Sequence, residues 1–163
     1  MQGFRDGFSM IEIIVAIAIV AILATLAVPS LVNKIVRDQI IEAAPLAEIA
    51  KKAVALSWAT AQVLPADNAS ADLPVPEKIV NNYISSIAVQ DGAIQITFGN
   101  SVNSVIAGKI LTLRPAVVED APIVPVAWVC GYGAVPGNMT AKGENKTNIP
   151  TGYLPVNCRE SAK

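Results

Sequence analysis

The chain has 163 residues, 53% of them hydrophobic, and a formal net charge of −1 from 12 basic and 13 acidic side chains. Nucleic acid is bound mainly by Lys and Arg at its phosphates, so this near-neutral balance does not favour it as a partner. The sequence contains no histidine, which excludes histidine-based catalysis, Ser–His and Cys–His nucleophilic pairs and the commonest zinc ligand sets. These counts argue against an enzyme, predict no metal and no cofactor, and suit one small domain with a membrane-compatible segment.

The first informative element is an uncharged apolar run, residues 13–33, which directly follows Glu12. A run of roughly 20 apolar residues is long enough to cross about 30 Å of lipid as a helix. An unpaired carboxylate at the edge of such a helix costs roughly 2–4 kcal/mol, so the sequence predicts that Glu12 has a partner. Pro29 removes one backbone hydrogen bond near the end of the run and predicts a kink.

A secretory signal peptide is the main alternative for this N-terminus. Such a peptide has an apolar core of about 7–15 residues followed by a small-residue cleavage site. The apolar run here is longer and begins beside a carboxylate. The pattern therefore favours a membrane-compatible helix over an ordinary signal peptide.

The string GFSMIE at positions 7–12, the apolar run and Pro29 together resemble the N-terminus of type IV pilins and pseudopilins. The resemblance implies that prepilin peptidase cleaves after Gly7 and methylates the new amino terminus, Phe8. It also implies that Glu12 meets the methylated amine of Phe8 in a neighbouring subunit as the helices stack into a filament. An amine and a carboxylate about 4 Å apart attract by roughly 4 kcal/mol at an effective dielectric near 20, so Glu12 would set the register of assembly.

The chain departs from the family pattern in two ways. The family often has glycine where this chain has Ala21, and often has an aromatic residue where this chain has Ser30 and Leu31. In assembled pili of the family the helix can lose its regular form between that glycine and the proline. Alanine favours the helix over glycine by nearly 1 kcal/mol, so we expect less melting here.

Beyond Pro29 the pattern becomes amphipathic, which predicts that residues 34–60 form the second half of one long helix. Pro45 interrupts its hydrogen-bond ladder and predicts a second bend. The apolar stripe consists of Val32, Val36, Ile40, Ala43, Ala47, Ala50 and Val54.

The globular head is predicted over residues 61–163. Prolines and small polar residues indicate a surface loop over 61–78. The remaining predictions are four strands within 79–130, at 83–89, 93–98, 109–113 and 126–130, the first two joined by a hairpin turn at Asp91-Gly92. The fold class is therefore α+β, with a long N-terminal helix packed on a four-stranded antiparallel sheet.

The only two cysteines are Cys130 and Cys158, and the string YLPVNCR around the second adds to the resemblance. The family topology places both outside the inner membrane, where an oxidising compartment favours a disulfide over two free buried thiols. The bridge would bound a C-terminal surface loop, 130–158. In the chain-entropy model a loop of about 29 residues contributes roughly 3.5 kcal/mol.

Three cations, Lys142, Lys146 and Arg159, occur in or beside this C-terminal loop. A basic surface of this kind could contact DNA, but Glu144 and Glu160 dilute it. The pattern favours solvated loop charge over a DNA contact.

The resemblance implies the structural subunit of a type IV pilus. The leader, residues 1–7, would be removed, and residues 8–33 would hold the precursor in the inner membrane before the subunit enters an extracellular pilus. Implied partners are further copies of the chain, prepilin peptidase, the pilus assembly machinery and minor pilins, and the filament would serve adhesion, twitching motility or DNA uptake. Two alternatives are a minor pilin that acts as a DNA receptor in natural transformation and a type II secretion pseudopilin, which more often lacks a cysteine-closed loop.

Overall fold

The structure, a computed structural model, describes residues 7–160, without the side chains of residues 26–30. The chain divides into two compact units, one ending at Ile35 and the other beginning at Val36. Most of the predicted leader, residues 1–6, lies outside the described residues.

The helix α1 spans Met10–Ala61, so it ends one residue beyond the predicted end at residue 60. In the second unit one stripe of the helix is buried against the sheet, which confirms the predicted packing of the helix on the sheet. α1 also continues through Pro45, whose ring is exposed, whereas Pro29 lies among the side chains that are not described. The bends expected at both prolines stay predictions. The buried stripe consists of Val36, Ile40, Ala43, Ala47, Ala50 and Val54, each at most 3% exposed.

α1 ends where Gln62 adopts a left-handed backbone conformation, with φ of 54°. Its N–H still donates to the Trp58 carbonyl oxygen at 3.0 Å, a common way for a helix to close its last turn. The Ser57 hydroxyl donates to the Val63 carbonyl oxygen at 2.8 Å. These bonds fix the direction in which the chain leaves the helix.

The sheet of the second unit is antiparallel, and its strands are β1 (Ile84–Gln90), β2 (Ala93–Phe98), β3 (Ile110–Val117), β4 (Ala127–Cys130) and β5 (Thr140–Ala141). The first four follow the order β1-β2-β3-β4, which confirms the predicted meander, and the short β5 pairs with β3. Asp91 and Gly92 form the predicted hairpin turn with φ of 48° and 80°, the positive values that a two-residue turn of this kind requires.

Strand β3 runs to Val117, four residues past its predicted end, although it contains Pro115. Its pairing with β2 ends at Leu113, and beyond that point the Pro115 carbonyl oxygen accepts the Lys142 N–H at 2.9 Å. The N–H that proline lacks would point to this same side, where β2 no longer pairs. The proline is therefore tolerated within the strand.

Residues 144–149 cover the face of the sheet opposite α1. The Gln95 side-chain amide donates to the Glu144 carbonyl oxygen at 3.2 Å, and the Thr112 N–H donates to the Thr147 hydroxyl at 3.0 Å. Thr147 is 7% exposed and Ile149 is 1% exposed. The loop predicted at 130–158 therefore does not lie wholly at the surface, because part of it forms β5 and part packs on the sheet.

One buried side chain, Asn68, attaches the loop after α1 to the edge of the sheet. Its amide nitrogen donates to the carbonyl oxygens of Pro74 and Ile87 at 2.8 and 3.0 Å, and its Oδ1 accepts the Val89 N–H at 2.6 Å. Ile87 and Val89 lie on β1, an end strand of the meander. Asn68 thus occupies edge groups that would otherwise be open to pairing with another chain.

Asn68→Ala should lower the free energy of unfolding by about 2–4 kcal/mol, because it leaves buried backbone groups without partners. Urea unfolding of the detergent-solubilised chain measures this loss. Asn138→Ala is the matched control, because Asn138 is exposed, and it should change stability by less than about 0.5 kcal/mol. Equal effects of the two substitutions would contradict the assigned role of Asn68.

Candidate functional site

Gly7 and Phe8 lie in non-helical chain before the first turn of α1. Among the described residues, and apart from Gly7 and its two chain neighbours, no heavy atom lies within 4 Å of the position that a Cβ on Gly7 would occupy. The Phe8 side chain is 84% exposed. The peptide bond between these residues is therefore open to an enzyme that must bind an extended segment.

Ser9 and Glu12 cap the start of α1 reciprocally. The Ser9 N–H donates to Glu12 Oε2 at 2.8 Å, and the Ser9 hydroxyl accepts the Ile11 N–H at 3.4 Å. The Ser9 carbonyl oxygen accepts the first helical bond, from the Glu12 N–H at 3.0 Å. This is a capping box, which satisfies donors that the first turn of a helix leaves unpaired. The signature Ser-x-x-Glu was present in the sequence, but the predictions did not use it.

The capping box gives the Glu12 charge a partner within its own chain. This partner is the Ser9 amide, and the predicted cleavage between Gly7 and Phe8 would leave that amide intact. Among residues 7–160, the other carboxylate oxygen, Oε1, accepts no hydrogen bond. One oxygen is therefore held by the helix start while the other remains available, and the pairing with a neighbouring Phe8 stays a prediction.

The part of α1 in the first unit exposes apolar side chains on every side. Each large apolar residue from Phe8 to Leu23 is between 46% and 85% exposed. The Thr25 hydroxyl donates to the Ile22 carbonyl oxygen at 2.7 Å, so it adds no unpaired donor to this surface. A helix that is apolar all round is found buried in lipid or in protein.

Among the residues that the structure describes, no stretch of helix is both long enough and apolar enough to cross a membrane. The span predicted at 13–33 includes residues 26–30, whose side chains lie outside that part.

Cys130 and Cys158 form the predicted disulfide, with an S–S distance of 2.03 Å. Cys130 ends β4, and Cys158 ends the short 3-10 helix Val156–Cys158. The Tyr132 N–H donates to the Cys158 carbonyl oxygen at 3.0 Å. The bridge therefore attaches the last turns of the chain to the end of the sheet.

Two arginines converge on the carbonyl oxygen of Gly152 and hold the same C-terminal segment. Arg37, on α1, donates to it at 2.8 Å, and Arg159 donates to it at 3.2 Å. Arg159 also donates to the Leu154 carbonyl oxygen at 2.8 Å. Within the second unit, the C-terminal segment is thus attached both to the sheet and to the helix.

The two lysines predicted as possible DNA contacts also have partners in their own chain. Lys142 forms an ion pair with Glu119, and this hydrogen bond lowers the pKa of the Glu119 carboxyl. Lys146 donates to the Gln90 side-chain oxygen at 2.6 Å and lies 3.6 Å from the Glu144 carboxylate. These contacts, with those of Arg159, are structural and give the DNA hypothesis no support.

Among residues 7–160, no group of three or more His, Cys, Asp or Glu side chains could hold a metal ion.

Two family models match the chain. The model of the pilin family, described as a bacterial filament, matches residues 36–159, and the prokaryotic N-terminal methylation motif matches residues 5–28. The two matches cover nearly all of the second unit and the segment that contains Gly7, Phe8 and Glu12.

Several relatives match along nearly the whole chain. The type IV major pilin protein PilE1 of Neisseria gonorrhoeae is 34% identical over 168 residues, which cover 99% of this chain and 91% of the relative. A fimbrial protein of Neisseria meningitidis serogroup A is 36% identical over 172 residues, covering 99% and 98%. The fimbrial protein EcpC of Eikenella corrodens is 32% identical over 165 residues, covering 99% and 95%.

Replacing both Cys130 and Cys158 with serine should lower the free energy of unfolding by roughly 3–4 kcal/mol, because the bridge restricts the unfolded chain. Urea unfolding of the variant and of the oxidised wild type measures the difference. Reducing the wild type should reproduce the variant's stability, whereas reducing the variant should change nothing. A variant as stable as the oxidised wild type would contradict this role of the bridge.

Proposed function

Because this chain belongs to the type IV pilin family, we propose that it polymerises through the first half of α1 into an extracellular filament. The chain is a structural pilus subunit, in keeping with relatives named type IV major pilin and fimbrial protein. Adhesion, twitching motility and DNA uptake are proposed as activities of the filament.

The observation that carries this proposal is the pairing of an apolar helix with one carboxylate at its start. The exposed side chains from Phe8 to Leu23 present far more apolar surface than an isolated soluble chain would keep in water. Packing against the same segment of other copies would cover this surface. Glu12, at the start of the same helix, would then be enclosed among apolar neighbours and would require an opposite charge.

The proposed opposite charge is the amino terminus of a second copy. Cleavage after Gly7 creates a cation at Phe8 that the unprocessed chain lacks. Glu12 Oε2 accepts the Ser9 N–H, and this hydrogen bond favours one rotamer of the side chain before assembly. The remaining oxygen can accept the Phe8 amine of the neighbour without loss of the helix cap.

Before assembly, we propose that prepilin peptidase processes the chain and that residues 8–33 hold it in the inner membrane. The apolar side chains from Phe8 to Leu23 suit lipid as well as they suit a filament core. Exit from the membrane would then exchange lipid contacts for contacts with other copies, with help from the assembly machinery and minor pilins.

Of the two alternatives, neither has an observation in its favour. A DNA-receptor role would need free cations, whereas Lys142, Lys146 and Arg159 are engaged within their own chain. A secretion pseudopilin shares the N-terminus, but the relatives that match along the chain are named as major pilins and fimbrial proteins.

Glu12→Ala and Glu12→Gln separate the charge of Glu12 from its role in the helix cap. The glutamine retains an oxygen that can accept the Ser9 N–H, but it cannot form an ion pair. Loss of one partner of a buried ion pair costs about 3–5 kcal/mol, so both variants should lower the yield of sheared filaments at least about hundredfold. Each should still be cleaved and retained in membranes.

The matched control for these variants is Glu77→Gln, because Glu77 is exposed in the 3-10 helix Pro76–Lys78. It should leave the filament yield unchanged. A normal filament yield from Glu12→Gln would show that assembly needs the cap and not the charge.

Gly7→Val should block processing, because the larger side chain stands at the proposed cleavage site. Mass spectrometry should then find only the uncleaved chain in the membrane fraction. Gly152→Val is the control, because Gly152 is also exposed and has open space around its Cβ position. A mature chain beginning at methylated Phe8 in the Gly7→Val strain would contradict the proposed cleavage site.

A further inference from the structure

The part of α1 in the second unit has an outer face, opposite its buried stripe. Within the described residues, nothing buries this face. Every residue of this face is exposed, and the residues recur at steps of three or four, so they share one side of the helix. Ile41, Ile49 and Leu56 on this face are 58%, 51% and 65% exposed. The face consists of Asp38, Ile41, Glu42, Pro45, Ile49, Lys52 and Leu56.

Opposite charges lie at the two ends of this face. Asp38 and Glu42 flank Ile41 at the N-terminal end, and these three residues are called the acidic patch. Lys52 lies between Ile49 and Leu56 at the other end. Within residues 7–160, Lys52, Asp38 and Glu42 form no ion pair, whereas neighbouring Lys51 is held by Glu48 at 2.7 Å.

The C-terminal end of the face is widened by the loop between β3 and β4. Pro122, Ile123, Val124 and Pro125 of this loop line a groove of about 420 Å³, together with the helical residues around Leu56. Ile123 is 93% exposed, more than any other large apolar side chain described. Ile49, Lys52, Leu56 and Ile123 form what is called here the lysine patch.

We propose that the lysine patch of one subunit docks on the acidic patch of the next copy of this chain. The patches are separate, non-overlapping regions of the same molecule, so the contact joins unlike regions and leaves one of each free at the ends. Contacts of this kind can repeat without closing and generate open helical filaments.

The chemistry of the two patches matches a second copy better than an unrelated partner. Each patch has exposed aliphatic side chains next to charge, and the charges have opposite signs. Covering Ile123 and Leu56 with Ile41 of a neighbour removes apolar surface from water on both molecules. Lys52 would then have Glu42, and secondarily Asp38, as its counterion.

The docking also specifies an axial offset between copies. Lys52 lies ten and fourteen residues beyond Glu42 and Asp38. At about 1.5 Å of rise per residue, parallel helices would be displaced by roughly 15–21 Å along the axis. Pairing of Glu12 with the Phe8 of a parallel helix would displace the copies by only about 6 Å, so the two contacts join a subunit to different neighbours.

This inference rests on the proposed filament, and charge exchange tests it separately. Lys52→Glu and Glu42→Lys should each lower the yield of sheared filaments at least about tenfold, because each places like charges together in the contact. The double variant, Glu42→Lys with Lys52→Glu, reverses the pair and should recover most of that loss. Yields are normalised to the amount of processed subunit in the membrane.

The control for charge reversal is Lys78→Glu, on the exposed 3-10 helix Pro76–Lys78 outside both patches, and it should assemble as the wild type does. Circular dichroism of each solubilised variant checks that the fold is kept. Normal yields from the single variants, or a double variant no better than either one, would overturn the docking while leaving the filament proposal intact. A wild type that forms no filaments under any condition would instead overturn the filament proposal.

Discussion

A helix that exposes apolar side chains on every side needs lipid or other protein molecules to cover that surface. Among residues 7–160, the large apolar side chains from Phe8 to Leu23, at and just before the start of α1, are in this condition. The second half of the same helix meets the opposite condition, since one stripe is buried by the sheet and the other side is exposed. One continuous helix therefore carries a segment that needs other molecules and a segment that holds a folded head.

Two requirements of the N-terminus concern Glu12: pairing of the helix's first backbone donors and neutralisation of a carboxylate next to an apolar segment. A helix start leaves backbone donors unpaired, and the Glu12 carboxylate accepts one of them, the Ser9 N–H at 2.8 Å. A carboxylate enclosed among apolar helices would also need a cation, and the proposed cleavage before Phe8 would supply one. We propose that different oxygens of this one side chain meet the two requirements, Oε2 by accepting the Ser9 N–H and Oε1 by accepting a cation of another copy.

The elements with local signatures were predictable from the sequence. The steps of the apolar stripe gave the buried side of α1, the Asp91-Gly92 pair gave the hairpin, and the two cysteines gave the bridge. The position of β5 and the cover of the second sheet face were not predictable, because they depend on contacts between segments far apart in the sequence, such as Thr112 with Thr147. The sequence around Asn68, in the loop predicted at 61–78, does not distinguish this buried side chain from an ordinary polar loop residue.

The candidate site was predictable to a different degree. Gly7, Phe8 and Glu12 were identified by resemblance, whereas the cap at Ser9 follows from elementary helix chemistry. The partners of Lys142, Lys146 and Arg159 depend on how loops lie in space, and the sequence alone could not supply them.

The central claim is that Glu12 forms an ion pair with the amino terminus of another copy. A cryo-electron microscopy structure of the native filament measures this directly, as the distance from the Glu12 carboxylate to the nearest Phe8 nitrogen of a neighbour. The account predicts a separation within about 4 Å, the limit usual for an ion pair, with the Ser9 N–H still bound to the same carboxylate. A filament in which Glu12 contacts only its own chain, with every neighbouring Phe8 amine beyond that distance, would contradict it.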